Sequence, residues 1–200
     1  MSRYLSIDTE ATGLEEDTHL IQLAFVPVDV SEGKVYLELG WERLVKCPDF
    51  EELKPRLNPW VLENMADLIR KAHAEGISLE TCQDEVTQYL QSDAIQAFFG
   101  GKPPVLLGKS LSALDIPLLN RSLGWKYMQK AFHHHNLDVT SMAISLCDSG
   151  LLPAGTTGSS QLMKHYQLKD GTEHTALSDA IEMADIYIKM VKDIKAHTQK

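Results

Sequence analysis

Residues 34–45 read KVYLELGWERLV, and the alternation of Val35, Leu37, Leu39 and Trp41 is the period-2 pattern of a strand with one face buried. Toward the N-terminus, His19–Val28 (HLIQLAFVPV) reads as a longer strand and Tyr4-Leu5-Ser6-Ile7 as a short one. No helix-length segment separates the three. They should therefore pair as an antiparallel meander, because parallel neighbours need a crossover connection. Toward the C-terminus, Pro59 to Phe99 is helical: Trp60, Leu62, Met65, Leu68 and Ile69 recur at helical spacing before Gly76, and Leu79, Cys82, Val86, Tyr89 and Leu90 mark a second helix. Pro104–Leu107 is a brief buried strand, followed by a helix from about Asp115 to Leu123 that Gly124 ends. Asn136–Val139 reads as the last strand. Three helical patterns close the chain, the final one carrying Leu177, Ala180, Ile181, Ala184, Ile188 and Val191 on one stripe. A meander followed by alternating strands and helices predicts an α/β sandwich with a mixed five-stranded sheet flanked by helices. Pro153–Ser160 reads as a mobile surface loop rather than a domain boundary.

At 200 residues, 44% apolar and 24% charged, the composition is that of one soluble globular domain spanning 1–200, which excludes disordered and fibrous classes. The longest apolar runs are a handful of residues, against the roughly 20 that span a bilayer, so no membrane span is expected. Cys47, Cys82 and Cys147 are far apart and form no C-x-x-C pair, which removes zinc-ribbon and thioredoxin readings and points to a reducing compartment. No basic-then-apolar segment follows Met1, so a cytoplasmic location is expected. The net charge of −9 argues against a polybasic binder of duplex nucleic acid. It leaves open an enzyme that grips a strand end through metal ions, since metal-binding carboxylates are themselves acidic. The charge is uneven: residues 1–60 are acidic, whereas Lys102, Lys109, Arg121, Lys126 and Lys130 lie in a stretch whose single acid is Asp115.

Three sets of residues carry chemistry. Asp8 and Glu10, at i and i+2 on the first strand, point to the same face and could together hold a hard cation. Asp115 lies where a strand hands over to a helix, with Pro117 suited to the first helical turn. His174 and Asp179 open the last helix, where the dipole disfavours an imidazolium and favours a carboxylate; a neutral imidazole is what a general base requires. Taken singly, each set has a plainer reading. Asp8 and Glu10 read as a solvated strand edge, Asp115 as an N-cap, and His174 as a loop histidine beside a dipole-stabilising acid.

Together they resemble the motifs of the DEDDh family of 3′-to-5′ exonucleases. Asp8-Thr9-Glu10-Ala11-Thr12-Gly13-Leu14 is similar to the first motif, usually D-x-E-T-T-G-L. Leu114-Asp115-Ile116-Pro117-Leu118-Leu119 resembles the second, and His174-Thr175-Ala176-Leu177-Ser178-Asp179-Ala180 the third, with histidine and aspartate five apart. Asn136–Thr140 resembles the family's last strand and following helix, so the resemblance spans nearly the whole chain and extends to polymerase proofreading subunits, oligoribonuclease and ribonuclease T. Ala11 stands where threonine is common, Leu114 where phenylalanine is usual, and Ser110 and Leu111 where an asparagine is expected. The second motif therefore rests on Asp115.

The resemblance implies a ribonuclease-H-like sandwich, with the helical segment at about 55–100 as an insertion. It also implies hydrolysis of single-stranded RNA or DNA from the 3′-OH end, releasing nucleoside 5′-monophosphates. Two Mg²⁺ or Mn²⁺ ions about 3.5–4 Å apart would clamp the attacking and leaving oxygens. Asp8 would bridge them, Glu10 and Asp179 would complete the site of the nucleophile-side ion, Asp115 would hold the other through water, and His174 would take the proton from the attacking water. Glu10 and the backbone of Thr12, Gly13 and Leu14 would touch the terminal nucleotide, with the Leu14 side chain either against its base or in the core. Many relatives form homodimers, though no residue here identifies an interface. Two rival readings are a catalytically silent nucleic-acid or protein-binding module on the same fold and a ribonuclease-H-type endonuclease. The intact Asp8, Glu10, His174 and Asp179 oppose the first, and the histidine five before Asp179 opposes the second.

Three further features have plain expectations. His133-His134-His135 reads as a polar loop, since consecutive residues do not share one direction on a regular element. Trp60 and Asn64 lie in the insertion, where the resemblance implies that substrate-shaping aromatics sometimes occur, but helical spacing favours core packing. The basic group, with Trp125 and Tyr127 interleaved, reads either as a track for a single strand or as a solvated face.

Overall fold

The computed structural model describes residues 2–168 and 175–198. The chain begins with β1 (Arg3–Ala11), β2 (Leu20–Asp29), β3 (Lys34–Val35) and β4 (Trp41–Leu44). Helices α1 (Phe50–Leu53), α2 (Pro59–Asn64), α3 (Ala66–Glu75), α4 (Leu79–Gln91) and α5 (Asp93–Phe99) follow. Next come β5 (Leu106–Gly108), α6 (Asp115–Leu119), α7 (Trp125–Ala131), β6 (Asn136–Asp138), α8 (Val139–Asp148), α9 (Ser159–Tyr166) and α10 (Ala176–Thr198). The sheet runs β3-β2-β1-β5-β6, with β4 also on β2; β1, β2, β3 and β4 pair antiparallel, whereas β5 and β6 join parallel. The meander-then-parallel order expected from the sequence is thus present.

The described residues hold six strands rather than five because the predicted strand over 34–45 is in two pieces. β3 pairs with Val28 and Asp29, β4 with Gln22 to Phe25, and a tight 3₁₀ turn over Leu37–Leu39 lies between. The cause is on the neighbouring strand. Pro27 accepts a hydrogen bond from the Tyr36 N–H (2.9 Å) and has no N–H to return, so the ladder cannot continue past it.

Every residue of β2 is buried, as expected for a strand covered on both faces. On one face Leu5, Ile7, Leu23, Phe25 and Leu106 pack with α4, α6 and α7. On the other, Val28 and Leu107 pack with α8, α9 and α10. A smaller core (Ile21, Phe50, Leu53, Val61, Ile69) lies under α1 to α3. The buried face of α10 differs from its predicted stripe: Ala180, Ala184 and Ile188 are buried, Leu177, Ile181 and Val191 only half-buried, and Met183, Ile186, Tyr187 and Met190 are buried as well. Along β1 the odd residues Leu5 and Ile7 feed the first core, so Ser6, Asp8 and Glu10 turn toward α10. Ser6 is small and fully buried, and its hydroxyl donates to the Ala180 carbonyl of α10 (2.7 Å), fixing helix against strand.

The helix after Asp115 departs from regularity. α6 is α-helical only to Leu119; a wider π-helical turn over Asn120–Gly124 leads into α7, and Gly124 takes φ +93°, a value that favours glycine. Thr156, within the predicted Pro153–Ser160 loop, is buried. The three cysteines are free, and among the described residues no helix is long and apolar enough to cross a membrane.

Candidate active site

β1 and β5 run parallel, so their C-terminal ends lie at the same end of the sheet, and the acidic residues gather there. Asp8 and Glu10 project from the last part of β1, just before a bulge between Glu10 and Ala11. Asp179 lies in the first turn of α10, whose entry is held by hydrogen bonds to the sheet. Ala176 N–H donates to Gln22 Oε1 (3.2 Å) and Leu177 N–H to Glu42 Oε1 (2.9 Å). Gln22 is itself the partner of Glu10 across the β1–β2 ladder. A carboxylate oxygen from each of Asp8, Glu10 and Asp179 falls within 4.8 Å of the other two.

Asp115 adjoins this triad and is only 5% exposed. It is the first residue of α6, whose N-cap is Leu114; the N-cap expectation is corrected. Its Oδ1 instead accepts from the Thr9 hydroxyl (2.7 Å). The approach to α6 is tight: a Cβ at Gly108 would lie 2.9 Å from the Ile7 carbonyl oxygen. Ser110 takes φ +53°, a left-handed conformation that asparagine adopts more readily than serine. The residue where the resemblance expects asparagine thus has the backbone geometry asparagine favours.

Four carboxylates this close perturb one another. Burial, reinforced by Asp115, Glu10 and Asp179, holds Asp8 well above the usual carboxylate range, with Lys109 opposing. Burial followed by Asp179 and Asp115 raises Glu10 to about 7. Burial raises Asp115 to about 6, against the hydrogen bond from Thr9. A divalent cation is the natural relief for such crowding, and an all-oxygen donor set suits Mg²⁺ or Mn²⁺.

Two cavities flank the acids and share Thr9 and Leu114. One, of about 510 Å³, contains Asp8, Asp115 and Asp179 together with Lys109, Glu182 and Ser159–Ser160 at the start of α9. The other, of about 430 Å³, contains Glu10, Gly13, Leu14, Trp60, Leu114 and Arg121. Leu14 (78%), Trp60 (64%) and Leu114 (44%) are exposed at this second cavity. Leu14 is therefore not a core residue, and the expectation that Trp60 packs into the core is overturned. The helix of Trp60 stops at Asn64, and it is Val61 and Met65 that turn inward. Asn64 donates to the Trp60 carbonyl (2.8 Å). Thr12 is buried, its hydroxyl accepting from His19 N–H (2.9 Å) to brace the turn, while Leu14 N–H donates to Glu15 (2.9 Å).

His174 lies outside the described residues. Four of the basic group line different cavities: Lys109 the one with the acids, Arg121 the second, and Lys102 and Lys130 a separate one beside Gln83, Phe99 and Tyr127. Sequence reasoning missed Thr9, Gln22 and Glu42. Gln22 left a readable signal as the one polar side chain in the run Leu20–Val28. Thr9 and Glu42 left none, because their partners come from α6 and α10.

No family model and no curated protein matches this sequence. Solved structures do. The chain is similar to cell-death related nuclease 4, with a TM-score of 0.72 at 16% identity over 96% of this chain and 64% of that one. It is similar to the nuclease domain of 3′hExo, a DEDDh family member, bound to rAMP, with a TM-score of 0.64 at 14% identity over 96% of this chain and 92% of that one. It is similar to E. coli exonuclease I in complex with a dT13 oligonucleotide, with a TM-score of 0.74 at 15% identity over 100% of this chain and 43% of that one. The chain thus spans less than two thirds of the first and third of these proteins. What it shares with them is the fold, the ribonuclease-H-like sandwich of these nucleases.

Proposed function

We propose that this chain is a metal-dependent 3′-to-5′ exonuclease of the DEDDh type, releasing nucleoside 5′-monophosphates from the 3′-OH end of single-stranded RNA or DNA. The observation that carries this reading is the convergence of Asp8, Glu10 and Asp179 within 4.8 Å, with Asp115 alongside, next to a cavity rimmed by exposed apolar side chains. Asp8, Glu10, Asp115 and Asp179 would hold the Mg²⁺ or Mn²⁺ ions. When bound, such ions neutralise charge on the scissile phosphate and lower the pKa of the attacking water. Thr9 keeps Asp115 turned toward the triad, and Gln22 and Glu42 keep the first turn of α10, with Asp179, against β1. His174 would take the proton from the attacking water. Leu14, Trp60 and Leu114 offer a platform on which the terminal base stacks, and the Thr12-Gly13-Leu14 turn sets its edge. Arg121, in the same cavity, is placed to meet a phosphate.

The test is a product ladder from 5′-labelled single-stranded RNA and DNA, run with Mg²⁺ or Mn²⁺ and again with chelator. The expected result is stepwise shortening from the 3′ end, mononucleotide product, an intact circular strand, and no activity with chelator or in Asp8→Ala. His174→Ala should lose about 10²–10⁴-fold in rate while keeping its metal affinity. Cutting of the circular strand, or near-full activity in Asp8→Ala, would overturn the assignment.

A further inference from the structure

The connection between α7 and β6 contains three imidazoles that converge. Ring centroids of His133 and His134 are 4.3 Å apart, those of His134 and His135 4.2 Å, and those of His133 and His135 4.7 Å. One nitrogen from each lies within 4.8 Å of the others. The loop expected from the sequence is present, and within it the three side chains converge rather than diverge. Alternation of direction holds on strands and helices, whereas 133–135 belong to neither. The segment is anchored at both ends. Phe132 is buried, His133 N–H donates to the Pro104 carbonyl (2.9 Å), and Asn136 pairs with Leu106 as β6 begins. His135 N–H donates to His133 Nδ1 (3.0 Å), which engages that nitrogen's one lone pair, so a cation held by His133 would take the place of this hydrogen bond.

We propose that His133, His134 and His135 form a binding site for a first-row transition cation, Zn²⁺ in the first instance, separate from the carboxylate site. Imidazole nitrogen selects Zn²⁺, Ni²⁺ and Cu²⁺ over Mg²⁺, so the two sites sort cations by donor type. With Zn–N bonds of about 2.0–2.1 Å, nitrogens on a tetrahedral ion lie about 3.4 Å apart. Nitrogens already within 4.8 Å reach that spacing by rotation of the exposed His134 and His135 rings and the half-buried His133 ring. Water fills the fourth position. The ion clips the end of α7 to the start of β6, stabilising the folded chain by mass action. This inference stands apart from the nuclease reading.

The test is calorimetric titration of Zn²⁺ into protein carrying no polyhistidine tag, with excess Mg²⁺ present, for the wild type, Asp8→Asn and a His134→Ala/His135→Ala double variant. The expected result is one saturable equivalent in the wild type and in Asp8→Asn, weakened more than about 100-fold in the double variant, beyond the 10–100-fold typical of losing an outer-shell partner. Zn²⁺ should also raise the melting temperature of the wild type and not of the double variant; both replaced side chains are exposed, so the metal-free variant should melt as the wild type does. An equivalent that survives in the double variant, one that disappears in Asp8→Asn, or no saturable binding in the wild type would each overturn the proposal.

Discussion

Glu10→Gln should make the metal-free protein more stable at pH 8, even though it removes a proposed ligand. Burial and the carboxylates of Asp179 and Asp115 raise Glu10 from 4.5 to about 7 in the folded chain. Between those values the folded state keeps a proton that the unfolded chain has released, so stability falls as pH rises from 4.5 to about 7 and is constantly lower above it. A difference of about 2.5 units, at 1.36 kcal/mol each, amounts to about 3 kcal/mol. Glutamine does not ionise and escapes this loss. For a 200-residue chain about 3 kcal/mol corresponds to roughly 6–12 °C in Tm. At pH 5, near the start of the window, the gain should shrink to about 1 kcal/mol or less. The assay is thermal and guanidinium unfolding of both proteins in chelator at pH 5 and pH 8, repeated with Mg²⁺, which should raise the wild type more than the variant. A variant less stable than wild type at pH 8, or equally stabilised at both pH values, would refute the reasoning that carboxylate crowding strains this site.

Gln22→Leu should cost about 1–3 kcal/mol, since it strands the buried Ala176 N–H, and should lower nuclease activity by loosening the turn that carries Asp179; melts and rates on the same preparation check both. Trp60→Ala should raise KM for single strands by roughly 5–150-fold, the worth of one stacked base, with kcat little changed. Equal KM values would return Trp60 to a purely structural role. With the basic residues dispersed over separate cavities, binding of a single strand should show a slope of log K against log salt of only about −2, measured by fluorescence anisotropy. A much steeper slope would mean a phosphate track not formed by these residues.

What the sequence determined by itself was whatever depends on neighbours along the chain. The meander follows from strand patterns with no room for a crossover. Asp8 and Glu10 share a face because i and i+2 on a strand must, and Asp179 opens the last helix because the pattern begins there. What the tertiary structure alone decided was every relation between elements. The strand over 34–45 breaks because Pro27, on another strand, lacks the N–H that would have paired with it. Asp115 has the chemistry of a cap but not the position, since α6 starts at Asp115 itself and β1 lies alongside, and its carboxylate accepts from Thr9. Trp60 follows a helical pattern, but α2 ends after one and a half turns and leaves it at the mouth of a cavity. The imidazoles of 133–135 converge because the Pro104 carbonyl at one end and the pairing of Asn136 with Leu106 at the other shape a loop that no periodicity describes. Local pattern sets which way a side chain leaves its own backbone; packing and register set what it meets, and at this site the chemistry lies in what it meets.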